Sequence, residues 1–153
     1  MKGVALALAI GLATGTAIAQ SAQSLVGAWD LEIAGDTYGR SPKGRLIFTA
    51  DGRYALIITR DDLPKFASNS RVNGTPDENK AVVAGSVAHF GRYSVDETEK
   101  AINLKIENST FPNWNGTDQK RPFELKGNQL RYTNPKPSAG GPPTGQVVWN
   151  RAK

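Results

Sequence analysis

The sequence predicts an all-β protein, an eight-stranded antiparallel up-and-down barrel with one short helix. Three observations support this: the chain carries eight short strand-like runs, turn residues separate them, and the first and last runs carry residues that suit pairing with each other. The first run opens with Gly27 and Trp29, and the last ends with Trp149 and Arg151. We expect these two strands to lie side by side, which would close the sheet. Closure removes exposed strand edges and leaves one interior that can hold a small ligand.

The first strand is predicted over residues 25–33. We expect Gly27, Trp29, Leu31 and Ile33 to share its inner face, and the charged residues at 30 and 32 to share the other, which is the two-residue period of a half-buried strand. The other seven predicted strands cover residues 44–50, 53–60, 88–95, 102–106, 119–125, 129–133 and 145–151.

Local signals define two of the connections. Asp51-Gly52 is a two-residue hairpin signal, because both residue types tolerate positive φ. Thr75 offers an N-cap, Pro76 suits the first helical position, and Glu78 can complete a capping box. We therefore predict a short helix over residues 76–84, which could cover one end of the barrel.

The length of 153 residues fits one domain with a sizeable core. An apolar content of 39% and a charged content of 22% are typical of a globular chain rather than a disordered one. The absence of cysteine excludes a disulfide, a thiolate nucleophile and a thiolate metal site.

The N-terminus predicts export. Lys2 precedes an apolar run at 4–13, and Ala17 and Ala19 form a small-residue cleavage pattern. The run is too short to span a bilayer core of about 30 Å. We interpret residues 1–19 as a signal peptide cleaved after Ala19, and residues 20–153 as the barrel domain. An exported protein without disulfides suits a bacterial periplasmic or secreted location.

The basic residues do not predict nucleic-acid binding. Removing residues 1–19 lowers the net charge from +5 to +4, and the remaining lysines and arginines are scattered along the chain. Aromatic residues do not interleave with them as a stacking platform requires. We expect a mildly basic, solvated surface.

Several segments carry a family resemblance. The sequence Leu-Val-Gly-Ala-Trp at 25–29 resembles the opening Gly-x-Trp strand of lipocalins. With the segments 44–54, 89–96, 111–119 and 147–151, in that order, the chain resembles the bacterial and fungal lipocalin-like domain family. This resemblance implies a calycin-like barrel. It also implies that Trp29 packs against Arg151 to close the barrel floor, a contact between cation and ring that contributes roughly 0.5–2 kcal/mol.

The segment 111–119 holds the first candidate binding residues. Trp114 lies in a Pro/Asn/Gly turn between two predicted strands, where a core aromatic is not expected. Aromatic residues on loops of a rigid scaffold often serve binding. Trp114, with Asn113 beside it, is therefore a candidate ligand contact. The alternative is a plug, in which Trp114 folds over the barrel end and seals its own core.

His89 is the single histidine and the side chain expected to titrate near neutral pH. The two-residue period places it on the same strand face as Tyr93, and we expect both to point inward. Neither a nucleophile nor a carboxylate stands at an informative spacing from His89, so a hydrogen-bonded histidine at the barrel mouth is the simpler interpretation.

We expect the barrel to bind a small, largely apolar molecule without covalent chemistry. The predicted lining consists of apolar inward positions, namely Leu31, Ile57, Leu104, Ile106, Phe123 and Leu130. Tyr93, His89 and Arg121 would give selectivity.

Two other functions stay open at this point. One is an isomerase or cyclase that uses His89 or Tyr93 as proton donor in the same pocket. The other is a structural envelope protein, because eight strands can be filled completely by side chains. The sequence indicates no catalytic constellation, metal site or cofactor motif, and we expect a monomer.

Overall fold

The computed structural model describes residues 21–138, 140 and 145–153. The predicted signal peptide, residues 1–19, lies outside the described residues. The strands are β1 (Gly27–Ile33), β2 (Lys43–Phe48), β3 (Arg53–Thr59), β4 (Ser86–Asp96), β5 (Ala101–Ser109), β6 (Asp118–Lys126), β7 (Gln129–Thr133) and β8 (Gln146–Arg151). They form one closed antiparallel barrel in chain order, which confirms the predicted fold class.

Two α-helical segments accompany the barrel in the described residues: a four-residue turn, α1 (Ala22–Leu25), and a longer helix, α2 (Pro76–Gly85). The capping box of α2 is present. The backbone N–H of Glu78 donates to the Thr75 hydroxyl, and the Glu78 carboxylate accepts from the Thr75 backbone N–H at 2.7 Å. The helix thus begins where the sequence predicts it.

The seam between β1 and β8 closes the barrel, with Trp29 paired to Arg151. The guanidinium carbon of Arg151 lies 4.1 Å from the centre of the Trp29 ring. The same guanidinium donates to the carbonyls of Ser24 at 2.7 Å and Val26 at 2.9 Å, so it also holds α1 against the barrel. We call the end of the barrel that carries Trp29 and Arg151 the closed end. Trp149 is fully buried in the core, paired to Leu31 of β1 across the same seam.

Gly27 leaves the space that this seam needs. Its φ is +126°, and a Cβ at this position would lie 3.2 Å from Nη1 of Arg151. A larger residue would strain the backbone and press on the arginine.

The face alternation predicted for the first strand ends early. The register of β1 against β8 shifts between Leu31 and Ile33, and Ile33 is 48% exposed. The prediction that Ile33 shares the inner face with Trp29 is therefore wrong. A β-bulge interrupts the two-residue period, and a sequence pattern does not show it.

The inward face of β3 is also opposite to the one predicted. Tyr54, Leu56 and Ile58 are buried, whereas Ile57 is 49% exposed. Three consecutive apolar residues at 56–58 give no indication of which face is inside, because either phase buries apolar side chains.

Candidate functional site

The barrel is filled at one end and hollow at the other. Connections β1–β2, β3–β4 and β5–β6, with the end of β7 and the start of β8, lie at the end opposite Trp29 and Arg151, and we call this the open end. A cavity of about 290 Å³ lies there. That volume is at the small end of the usual range for ligand pockets, about 300–1,000 Å³. The cavity therefore suits a small molecule.

Most of the cavity wall is apolar. Side chains from β3, β4, β5 and β8, together with Trp114 of the β5–β6 connection, supply it. The main apolar residues are Leu56, Ile58, Val87, Leu104, Trp114 and Val147. Apolar ligand surface removed from water against such a wall is stabilised by about 25 cal/mol per Å².

His89 projects into the barrel from β4, just before the register of β4 against β5 shifts between Phe90 and Gly91. Its Nδ1 lies 2.9 Å from the hydroxyl of Tyr54, and its ring meets that of Trp114 edge to face at 5.6 Å. Burial, aided by the positive charge of Arg121, lowers the pKa of His89 to about 4. The imidazole is therefore neutral at pH 7 and serves as a hydrogen-bonding group, not as a cation.

Arg121 enters the cavity wall from β6 and is only 4% exposed. Its guanidinium donates to the side-chain oxygen of Gln119. Burial lowers the pKa of Arg121, while Tyr132 and Tyr54 act in the opposite direction. Burial also raises the pKa of Tyr132 to about 12. At neutral pH Arg121 is thus a buried cation among uncharged phenols and a neutral imidazole.

Trp114 ends a short 3-10 turn, Pro112–Trp114, that follows β5. The turn is braced by its own backbone, because the N–H groups of Trp114 and Thr117 donate to the carbonyls of Phe111 and Trp114. The Trp114 ring is half-buried, packs edge to face on Phe111, and lines the cavity. It therefore both seals part of the core and faces the space that a ligand would occupy.

The structure brings Trp114, His89 and Arg121 together but places two other predicted ligand contacts elsewhere. Tyr93 lies towards the closed end, where its ring is 4.6 Å from Phe48 and its hydroxyl donates to the Thr49 carbonyl at 3.0 Å. Asn113 is exposed on the outside of the 3-10 turn and does not line the cavity.

Of the six apolar positions predicted to line the cavity, only Leu104 does so. Four others pack into the core without reaching it: Leu31, Ile106, Phe123 and Leu130. Ile57 points outward, and its neighbours Leu56 and Ile58 take its place. Phe123 and Leu130 lie in layers nearer the closed end, and the two-residue period does not distinguish those layers from the ones around the cavity.

Three tyrosines around the cavity were not foreseen. Tyr132 and Tyr38 line it, whereas Tyr54 does not line it but forms a hydrogen bond with His89. The alternation of Tyr54 with Leu56, and of Leu130 with Tyr132, carried a weak signal for inward tyrosines. The contact of Tyr54 with His89 depends on the pairing of β3 with β4, which composition does not give.

Within the described residues, no three His, Cys, Asp or Glu side chains are grouped closely enough to hold a metal ion. None of the helices in that part of the chain is long and apolar enough to cross a membrane.

Comparisons with known proteins agree with this architecture. The family model described as a lipocalin-like domain matches residues 26–152. A fungal protein, the 4'-hydroxy-3'-methoxypropiophenone carrier protein of Aspergillus oryzae, is 28% identical over 86 residues, covering 52% of this chain and 78% of the fungal protein.

Proposed function

Because this chain belongs to the lipocalin-like domain family, we propose that it is an exported binding protein that carries a small, largely apolar molecule in its barrel. The observation that carries the proposal is the cavity of about 290 Å³ at the open end, lined mainly by apolar side chains. The name of the Aspergillus oryzae relative, a carrier of a small aromatic ketone, supports the same class of ligand.

The proposal includes binding without catalysis. A proton donor would need a pKa near the working pH, yet burial keeps His89 neutral and raises the pKa of Tyr93, which does not line the cavity. The hydrogen-bond partner of His89 is the Tyr54 hydroxyl rather than a carboxylate. These features favour a binding site over an isomerase or cyclase. A hollow open end likewise favours binding over a structural protein with a filled core.

The export part of the proposal rests on Lys2, the apolar run at 4–13 and the Ala17-x-Ala19 pattern. We place the working protein, residues 20–153, in the periplasm or outside the cell.

Binding of the neutral dye N-phenyl-1-naphthylamine, followed by its fluorescence, tests the cavity. Two adjacent residues of β3 provide a matched pair, since Ile58 lines the cavity and Ile57 faces outward. Ile58→Phe should reduce dye affinity about tenfold or more by filling the space, while Ile57→Phe should leave it unchanged. Thermal melts establish that both variants fold. If the wild type does not bind the dye, or if both variants bind it equally well, the cavity is not the binding site.

A further inference from the structure

Arg121 is a buried cation with few protein partners. A guanidinium has five N–H donors, and within the described residues its side chain donates to Gln119 alone. With 4% of its surface exposed, Arg121 has little access to bulk solvent. A buried charge costs much free energy unless it is paired and fully hydrogen-bonded.

Acidic side chains do not supply that pairing. The ion pairs in the described part of the chain all lie on the surface, where each side chain is at least 38% exposed. Asp36, the acidic residue in the cavity lining, is exposed at the open end and forms no ion pair with Arg121 in the described structure. The positive charge inside the barrel is therefore not balanced by the protein around it.

The neighbours of Arg121 favour an anion in its vicinity. Its pKa is raised by Tyr132 and Tyr54, and its own charge lowers the pKa of His89. All three of these side chains are uncharged at neutral pH. Hydroxyl and imidazole groups can donate further hydrogen bonds to an anionic oxygen. The rest of the wall is apolar, so the site pairs one positive charge with a hydrophobic chamber.

We propose that the ligand is an organic anion, with a carboxylate or phenolate oxygen paired to Arg121 and an apolar, preferably aromatic, body packed against Trp114 and Leu56. This inference rests on the proposed binding function and narrows it to one ligand class. A guanidinium can hold a carboxylate through two parallel hydrogen bonds, which fixes the ligand's orientation as well as adding affinity.

Two probes of nearly the same shape separate charge from shape. 2-Naphthoate is an anion at pH 7, and 2-acetylnaphthalene is a neutral ketone with the same ring system. Displacement of N-phenyl-1-naphthylamine from the protein of residues 20–153 gives the affinity of each. We expect the wild type to bind 2-naphthoate about tenfold or more tightly than the ketone. Arg121→Met should abolish this preference and leave the affinity for the ketone within about threefold.

Arg131 provides the matched control. Arg131 donates to Gln129 two residues earlier, as Arg121 donates to Gln119, but it is exposed on the outside of β7. Arg131→Met removes the same charge from the molecule and should preserve the preference for 2-naphthoate. This comparison distinguishes a specific pairing from attraction to the net charge of the protein.

The variants also guard against a folding artefact. Methionine fills a similar volume without a charge, so the unfolding midpoint of Arg121→Met should equal or exceed that of the wild type. If this variant does not fold, Arg121→Lys keeps a charge but loses the planar fork, and should bind 2-naphthoate several-fold more weakly while the ketone is unaffected. A wild type that binds both probes equally, or a preference that survives in both Arg121 variants, would overturn the assignment. Failure of the neutral dye to bind at all would instead count against the proposed function.

Discussion

The guanidinium of Arg151 lies over the ring of Trp29 and also donates hydrogen bonds to the carbonyls of Ser24 and Val26. One side chain of the last strand therefore fixes the first strand and the short helix before it. The indole N–H of Trp29 donates to the Leu25 carbonyl at 2.8 Å, which adds a second tie to the same segment. The closed end of the barrel is consequently a small polar clamp around one buried aromatic ring.

Arg151→Ala should destabilise the fold by about 2–4 kcal/mol, because it removes a contact between cation and ring and two charge-assisted hydrogen bonds. Arg45→Ala is the control, since it breaks an exposed ion pair with Asp30 across the neighbouring β1–β2 seam and should change stability by less than about 1 kcal/mol. Urea unfolding of the three proteins gives the comparison. Equal losses in the two variants would mean that the clamp adds nothing beyond a surface contact.

Trp114→Ala should weaken binding of N-phenyl-1-naphthylamine about tenfold, because the indole lines the cavity and covers apolar ligand surface. The same change should lower the free energy of unfolding by about 1–2 kcal/mol, less than the roughly 3–5 kcal/mol expected for a fully buried tryptophan. Trp114→Phe keeps an aromatic ring and should retain most of the affinity. Dye titration and thermal melting on the same samples test this. A collapse of stability with improved dye binding would show that Trp114 is a plug rather than a ligand contact.

His89 should make the protein less stable in mild acid. Its pKa is near 6.5 when unfolded and about 4 when folded, so the unfolded chain binds the extra proton first as the pH falls. The contribution of neutral His89 is fully present above pH 6.5 and is lost progressively towards pH 4, by up to about 3 kcal/mol. In His89→Gln this part of the pH dependence should disappear. Urea unfolding at pH 7, 5.5 and 4 measures both proteins, and parallel curves for the two would contradict the burial-induced shift.

The exported protein should begin at Gln20. The Ala17-x-Ala19 pattern predicts cleavage after Ala19. N-terminal sequencing of protein recovered from the periplasm or medium decides this, and Ala19→Arg should block processing. Recovery of a chain that still carries residues 1–19 would argue against export by cleavage.

The overall fold was predictable because its signals are local or lie at the ends of the chain. Asp51-Gly52 marks a hairpin, Thr75 and Glu78 mark the start of α2, and Trp29 with Arg151 marks the closing seam. Each of these depends on a few residues whose conformational preferences are strong.

The site was predictable only in part. Whether a residue lines the cavity depends on which face of the strand it occupies and on how far along the barrel axis it lies. His89 and Arg121 are polar residues on strand faces that otherwise carry apolar or aromatic side chains, and both line the cavity. Tyr93 shares the inner face with His89, yet it lies in a different layer of the barrel and supports the closed end. Inner-face residues of one strand are thus separated into core and cavity by their height, which a period of two does not encode.

The seam between β1 and β8 joins residues that are far apart along the chain. Arg151 and Ser24 are 127 positions apart, so the contact that completes the barrel closes a loop nearly as long as the domain. Such non-local pairing is entropically expensive and slows folding. Until β8 docks, β1 and β7 present two unpaired edges that can recruit a strand from another copy. Folding of this protein should therefore be limited by its final strand, and partial chains lacking β8 should aggregate rather than persist as open sheets.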